Sequence, residues 1–219
     1  MLLLAAKPAL ATTIQYDLDF EFSGGTHASG NPTVTIADTM LNQVSITIDS
    51  NLSNQEFIGG LYLNYTSAPT PLTVDSVTGT GANAYIDTSF GLDAFKADGD
   101  GYYDMLVNFM PPGAQRFGAG ERVVMLLTGV GLNANSFNAQ SFCAMGCGNG
   151  SFFAAAHIQG VGPNGGLSGW QGDGNGGCVN CPPPPPPPPP PNPVPEPASM
   201  VLLGSGLVGL AKFHKRNKK

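Results

Sequence analysis

Residues 12–22 alternate between apolar and polar side chains without interruption. Five large apolar side chains occupy every second position: Ile14, Tyr16, Leu18, Phe20 and Phe22. A repeat of two residues is the period of a β-strand, because successive side chains point to opposite faces, whereas a helix repeats every 3.6 residues. This segment is therefore predicted to be an antiparallel strand with one buried face and one solvated face.

The same alternation recurs along the chain, at residues 34–36, 44–48, 61–65, 103–109 and 123–127. Turn-forming clusters such as SGGTHASGNP and TGTGAN separate these runs, and no sustained helical period precedes the C-terminal tail. Many short strands with turns of this kind are typical of a β-sandwich. We predict an all-β fold, an antiparallel β-sandwich that runs from residue 12 to residue 142, with a further strand that extends it to residue 161.

The charges are divided unevenly along the chain. Residues 12–197 contain all 15 acidic residues but only three basic ones, Lys96, Arg116 and Arg122. The last 22 residues contain five basic residues and no acidic one. An acidic body repels nucleic acid, so a nucleic-acid partner is not expected.

The first eleven residues, MLLLAAKPALA, are apolar and end in the small-x-small pattern that signal peptidase accepts. We predict that residues 1–11 are the remnant of a signal peptide and that the mature chain begins near Thr12. The alternative is a mildly apolar start of the folded body.

Ten consecutive prolines occupy residues 182–191. They must adopt polyproline II, and at about 3.1 Å per residue they form a rod of roughly 31 Å. We therefore predict a Gly/Cys/Pro-rich linker at residues 162–193. Behind it, residues 198–211 carry no charge and precede a basic end, which predicts a short C-terminal transmembrane helix with that end on the cytoplasmic side. These 14 residues are fewer than the roughly 20 of a stable span, so a transient membrane anchor is expected.

The order of features in residues 194–219 resembles the PEP-CTERM sorting signal of bacterial envelope proteins. Val194 and the Pro195-Glu196-Pro197 motif precede a Gly-containing apolar run and a basic end. The resemblance implies that exosortase, a membrane protease-transpeptidase, recognises Pro195, Glu196 and Pro197 and removes the tail during export. It also implies localisation in the cell envelope or on the extracellular surface. An ordinary C-terminal anchor would account for the apolar and basic parts but not for the Pro-Glu-Pro motif.

One glycine-rich loop, DGDGYYD, suggests a metal site. Asp98, Asp100 and Asp104 occupy positions 1, 3 and 7, from which carboxylates can converge on a hard cation such as calcium. The loop is not an EF-hand, because Tyr102 and Phe109 stand where ligands are required. The alternative is an acidic turn that leads into the next strand. Calcium is the possible cofactor that this loop suggests.

Four cysteines, Cys143, Cys147, Cys178 and Cys181, flank a Gly-rich region. In an exported chain an even number of cysteines favours disulfides, and three pairings are open. Zinc coordination by the C-x3-C and C-x2-C pairs is the alternative.

His157 and Trp170 are isolated chemical signals. His157 lies in an Ala-rich predicted strand and is interpreted as a hydrogen-bonded structural histidine. Trp170, in GWQGDGNGG, has two open interpretations, a platform for a sugar ring or part of the Gly-rich approach to the linker.

The sequence therefore favours a non-enzymatic exported protein, a structural or adhesive component of the envelope or the extracellular matrix. Its acidic body would favour cation-bridged contacts with exopolysaccharide. The alternative is an exported polysaccharide-directed hydrolase or lyase with a calcium loop.

Overall fold

A computed structural model describes residues 11–53, 55–66, 71–97, 101–110, 113, 115–142, 151–174 and 178–179. The chain divides into two compact units, Met1–Pro184 and Pro185–Lys219. All described residues belong to the first unit. The predicted polyproline rod and transmembrane helix, and the first ten residues, lie outside the described part of the chain.

The regular structure of the described residues consists of β-strands and two short 3₁₀ turns. The strands are β1 (Thr13–Asp17), β2 (Phe20–Glu21), β3 (Thr33–Met40), β4 (Gln43–Asp49), β5 (Phe57–Leu63), β6 (Thr73–Thr78), β7 (Tyr85–Lys96), β8 (Tyr102–Phe109), β9 (Phe117–Gly118), β10 (Arg122–Thr128), β11 (Ala154–Val161), β12 (Leu167–Gly172) and β13 (Cys178–Val179). The turns are Ala82–Ala84 and Ala134–Phe137. The prediction of an all-β fold is confirmed.

The strands form two antiparallel sheets. The first sheet has the order β13-β1-β3-β4-β10-β6. The second has the order β2-β12-β11-β5-β8-β7, and β9 pairs with β5 outside that path. β11 lies between β12 and β5, so residues more than 90 positions apart in sequence become neighbours in the second sheet.

One continuous core joins the two sheets. The apolar side chains of the alternating strands, such as Ile36 and Ile46 in the first sheet and Leu61 and Met105 in the second, are buried in a single cluster. β4 and β10 contribute every second side chain, and in β4 buried and half-buried residues alternate from end to end. This shared core makes the fold a β-sandwich.

Residues 12–22 are not one strand, as the alternation predicts, but two strands in different sheets. β1 pairs with β3 in the first sheet, and β2 pairs with β12 in the second. The chain crosses between the sheets at Leu18, which stays fully buried, whereas Phe20 is 36% exposed. The alternation of apolar and polar residues continues through the residues that connect the sheets. The sequence pattern therefore does not show where the chain crosses.

The sandwich continues beyond residue 161, where the sequence analysis places its end. β12 pairs with β11 along the whole strand, and β13 pairs with β1, within the predicted linker of residues 162–193. The Gly-rich composition predicts a linker, but in the structure glycine leaves space for a neighbouring side chain. A Cβ at Gly172 would lie 2.8 Å from the ring of Phe152.

A buried carboxylate ties two loops of the sandwich together. Glu56 accepts hydrogen bonds from the backbone amide of Ser29 (2.9 Å), from the hydroxyl of Ser29 (2.6 Å) and from the backbone amide of Ser53 (3.2 Å). Burial acts to raise the pKa of Glu56, but the hydrogen bonds from Ser29 and Ser53 outweigh burial and hold the pKa below its ordinary value. Ser29 precedes β3 and Ser53 follows β4, so the carboxylate holds both loops beside β5.

The lowered pKa of Glu56 makes stability depend on pH. A carboxyl group whose pKa is lower in the folded state stabilises that state above the unfolded-state pKa and loses this effect as the pH falls through the folded-state value. We expect Glu56→Gln to lower the free energy of unfolding by about 1–2 kcal/mol at pH 7. The difference from the wild type should shrink towards pH 3, as measured by urea unfolding.

The control for this experiment is Asp87→Asn. Asp87 is exposed and accepts a hydrogen bond from the side-chain amide of Asn108. The asparagine keeps an acceptor oxygen there, so its effect should stay within about 0.5 kcal/mol. A constant difference between Glu56→Gln and the wild type from pH 7 to pH 3 would show that ionisation of Glu56 does not stabilise the fold.

Candidate functional site

The outer face of the second sheet carries an aromatic stack. His157 of β11 and Trp170 of β12 lie directly opposite each other in the strand register. Their rings are stacked, with centroids 4.7 Å apart and planes 23° apart. Two neighbouring strands place the rings at the cross-strand distance at which aromatic pairs stabilise a sheet.

Trp170 is also packed against other rings. The ring centroid of Tyr62 lies 5.1 Å from that of Trp170, and the centroid of Phe22 lies 6.3 Å away. Together with Phe152 and Tyr103 these rings form a second apolar cluster, separate from the core between the sheets. Trp170 is therefore a strand residue of this cluster, and the interpretation of its segment as an approach to the linker is wrong.

A cavity of about 700 Å³ lies beside this stack, at the β11–β12 hairpin. Its walls come from the start of β5, the segment before β9, the end of β11 and the hairpin loop. The lining side chains that carry polar groups are Gln55, Arg116, His157, Gln159, Asn164 and Ser168. Leu167 adds exposed apolar surface, whereas Phe57 borders the cavity as a buried side chain.

Two bulges shape the cavity wall. At the first, the register between β5 and β11 shifts so that Gly59 has no partner, and a Cβ there would lie 2.8 Å from the side-chain nitrogen of Gln159. At the second, Gly160 has a φ of +74°, and a Cβ there would lie 2.1 Å from the carbonyl oxygen of Gln55. Because glycine carries no side chain, Gln159 and Gln55 can both approach the cavity.

The cavity differs in charge from the rest of the body. Among its described lining residues there is no aspartate or glutamate. Arg116 lines it, with its guanidinium carbon 5.3 Å from the ring centroid of Phe57. Glu56 follows Gln55 in sequence, but its carboxylate is bonded to Ser29 and Ser53. The cavity is thus a donor-rich site on an acidic protein.

The predicted calcium loop is only partly described. Asp98 and Asp100 lie outside the described residues, and Asp104 is buried in β8. The backbone amides of Asp93 and Tyr65 donate hydrogen bonds to its two oxygens, at 2.8 Å and 3.2 Å. Within the described residues no three His, Cys, Asp or Glu side chains are grouped so as to hold a metal ion. Calcium binding by this loop stays a prediction.

The charge of Asp104 affects its neighbours. Burial and then the nearby Asp104 carboxylate raise the pKa of Asp93, and the same two causes raise the pKa of Tyr65. Asp93 itself has a φ of +48°, in the left-handed region. The bond from the Asp93 amide to Asp104 therefore holds a strained backbone position within the irregular pairing of β7 with β8.

The predicted cysteine sites fall largely outside the described residues. Cys143, Cys147 and Cys181 are not described, and the backbone of Cys178 lies in β13 opposite Tyr16. The choice between disulfides and zinc stays open.

Most of the cavity residues carry no recognisable signal in the sequence. Gln55, Arg116, Asn164 and Ser168 lie in three separate segments and share no motif. Only His157 and Gln159 carry a signal, because they occupy alternate positions of one strand and so point to the same face.

A family model matches the C-terminal part of the chain. It is the PEP-CTERM protein-sorting motif, and the match covers residues 193–216. It confirms the predicted PEP-CTERM signal. Pro195, Glu196 and Pro197 lie within the match but outside the described residues, and their role as the recognition element stays a prediction. The match supports an exported protein that exosortase sorts to the envelope or the surface.

No curated protein and no solved structure is similar enough to this chain to count as a match. In the part of the chain that is described, no helix has the length and apolar character needed to cross a membrane.

The hydrogen bonds of Asp104 predict a structural role without metal. Asp104→Ala leaves two backbone amides without their acceptor, so we expect a loss of about 2 kcal/mol or more in free energy of unfolding in calcium-free buffer. Asp98→Asn is the matched variant, since only the calcium hypothesis assigns Asp98 a ligand role. If millimolar calcium raises the melting temperature of the wild type but not of Asp98→Asn, the loop binds calcium. An undiminished stability of Asp104→Ala would contradict the structural role.

The oxidation state of the cysteines can be tested on exported material. We expect all four to resist alkylation until a reductant is added, because the exported compartment favours disulfides. A zinc site would instead release alkylatable thiols with a chelator alone. Intact mass after alkylation distinguishes the two, and four cysteines alkylated without either treatment would contradict both.

Proposed function

We propose that this chain is an exported, non-enzymatic protein of the cell envelope or the extracellular matrix. It acts there as a structural, adhesive or polysaccharide-associated module. The observation that carries the proposal is the PEP-CTERM motif at residues 193–216, which follows an all-β body in the same chain. Exosortase, the membrane and exopolysaccharide are the proposed partners.

The use of buried carboxylates supports a non-enzymatic role. Three acidic side chains of the described part are buried: Glu56, Asp104 and Asp173. Each accepts hydrogen bonds from two backbone amides, which for Asp173 are those of Phe153 and Ala154, at 2.8 and 3.0 Å. Carboxylates that are hydrogen-bonded in this way hold loops and strand ends in place, and at least one oxygen of each is already engaged.

The remaining carboxylates support an adhesive role. The described part contains twelve acidic residues, and the nine that are not buried reach solvent. Carboxylate oxygens are the ligands that calcium prefers, so such a surface can share divalent cations with an anionic polysaccharide or with other copies of the protein.

Processing of the tail tests the sorting part of the proposal. In a bacterium that encodes exosortase, we expect the protein from the envelope or the medium to lack its C-terminal tail. Glu196→Ala, within the recognition motif, should leave most of the protein with the tail attached. Pro185→Ala, in the proline run outside the motif, should be processed like the wild type. Intact mass of each protein, with and without exosortase, is the measurement.

Two results would contradict the proposal. Full-length wild-type protein in the cytosol of the exosortase-positive strain would show that the tail is not a working signal. Shortening of exopolysaccharide chains by the purified protein, measured by size-exclusion chromatography, would favour the hydrolase or lyase alternative. A non-enzymatic module should leave the polymer size unchanged.

A further inference from the structure

The cavity beside the His157–Trp170 stack has the dimensions of a ligand site. Its volume of about 700 Å³ lies within the range of roughly 300–1,000 Å³ that small-molecule sites occupy. It is formed by strands and by a hairpin tied to them, and not by a single loop. Gly160 brings the backbone of β11 against Gln55, which joins two walls of the cavity.

The polar groups of the cavity suit a ligand rich in hydroxyl groups. Gln55, Gln159 and Asn164 each offer an amide that can both donate and accept hydrogen bonds, and Ser168 offers a hydroxyl that does the same. A sugar presents the same mixture of donors and acceptors around its ring. Leu167, which is 52% exposed, provides apolar surface for the ring carbons.

The position of Arg116 adds a preference for an anion. The body has three basic side chains, and they differ in whether they line the cavity. Arg122 forms an exposed ion pair with Asp49 at 2.6 Å, and the ammonium nitrogen of Lys96 lies 5.9 Å from the ring centroid of Tyr102. Arg116 is the one that lines this cavity, where the described lining contains no carboxylate.

A planar guanidinium recognises a carboxylate through two parallel hydrogen bonds. The negative charges on the surface of the body repel anions. The positive charge of Arg116 offsets this repulsion locally, so a carboxylate is accommodated best beside Arg116. A neutral sugar can bond to the amides but cannot form the paired hydrogen bonds of a carboxylate with a guanidinium.

We propose that the cavity binds one unit of a carboxylate-bearing saccharide, of the uronic acid class. Arg116 pairs with the carboxylate, Gln159 and Asn164 bind ring hydroxyls, and the ring packs against the exposed side chain of Leu167. This inference deepens the polysaccharide association given as the proposed function and rests on it. It assigns a polymer class, an acidic polysaccharide, to the module.

The test is calorimetric titration of the full chain with a trisaccharide of galacturonic acid and with its neutral counterpart, a trisaccharide of galactose. The acidic trisaccharide should bind, with an affinity that falls as salt is raised, and the neutral one should bind at least tenfold more weakly. Arg116→Gln should weaken binding of the acidic trisaccharide by about 10- to 100-fold, the range for hydrogen bonds to a charged group. Arg122→Gln is the matched control, and its affinity should equal that of the wild type.

A second variant distinguishes a loss of binding from a folding defect. Gln159→Glu keeps the size of the side chain but places a negative charge in the cavity. It should abolish binding of the acidic trisaccharide while the melting temperature stays close to that of the wild type. Arg116→Lys, which keeps the charge but not the paired donors, should lie between Arg116→Gln and the wild type.

The outcomes separate the two proposals. Equal loss in Arg116→Gln and Arg122→Gln, or equal binding of both trisaccharides, would overturn the cavity assignment. In a second measurement, the wild type and Arg116→Gln are each immobilised on a column and the retention of acidic polymer is compared. If both columns retain the polymer equally, the polysaccharide association stands and only the cavity assignment fails. If the wild type retains no polysaccharide and binds neither trisaccharide, the association itself fails, and the cavity assignment fails with it.

Discussion

Every other feature of this sandwich depends on the burial of alternate side chains between its two sheets. Because the period of a strand is two, a slip of one residue would move each buried apolar side chain to the opposite face. The continuous core excludes such slips, so it also determines which side chains lie on the outer face of each sheet. The outer face of the second sheet can then place His157 beside Trp170 and Gln159 beside the cavity.

Carboxylates that accept hydrogen bonds from backbone amides hold the loops and irregular segments that strand pairing does not fix. Glu56 joins the loops around Ser29 and Ser53, Asp104 holds the irregular part of β7, and Asp173 caps the start of β11. In a chain with only 11% charged residues, three of the acids thus serve the fold. The same chemistry explains why Asp104 suggests a metal ligand in sequence. A turn that needs an acceptor for its amides and a loop that binds calcium both require a carboxylate.

The two functional parts of the chain rest on different kinds of evidence. Sorting rests on a short linear motif, for which residue order is sufficient, and its match at residues 193–216 is independent of the body. The proposed ligand site rests on side chains from β5, β11 and the segment before β9, which only the sheet order brings together. A sorted module and its binding site can therefore change independently.

The sequence by itself determined the all-β class, most strand positions and the sorting signal, because strand period and a linear motif are local properties. It could not determine where residues 12–22 cross between sheets, since the alternation continues through Leu18. Nor could it show that the Gly-rich segment after residue 161 contains β12, because glycine has low strand propensity and its value there lies in the space it leaves for Phe152. Only the tertiary structure placed Arg116 and Gln55 beside His157 and Gln159, because their proximity follows from long-range strand pairing and two bulges, which no local pattern encodes.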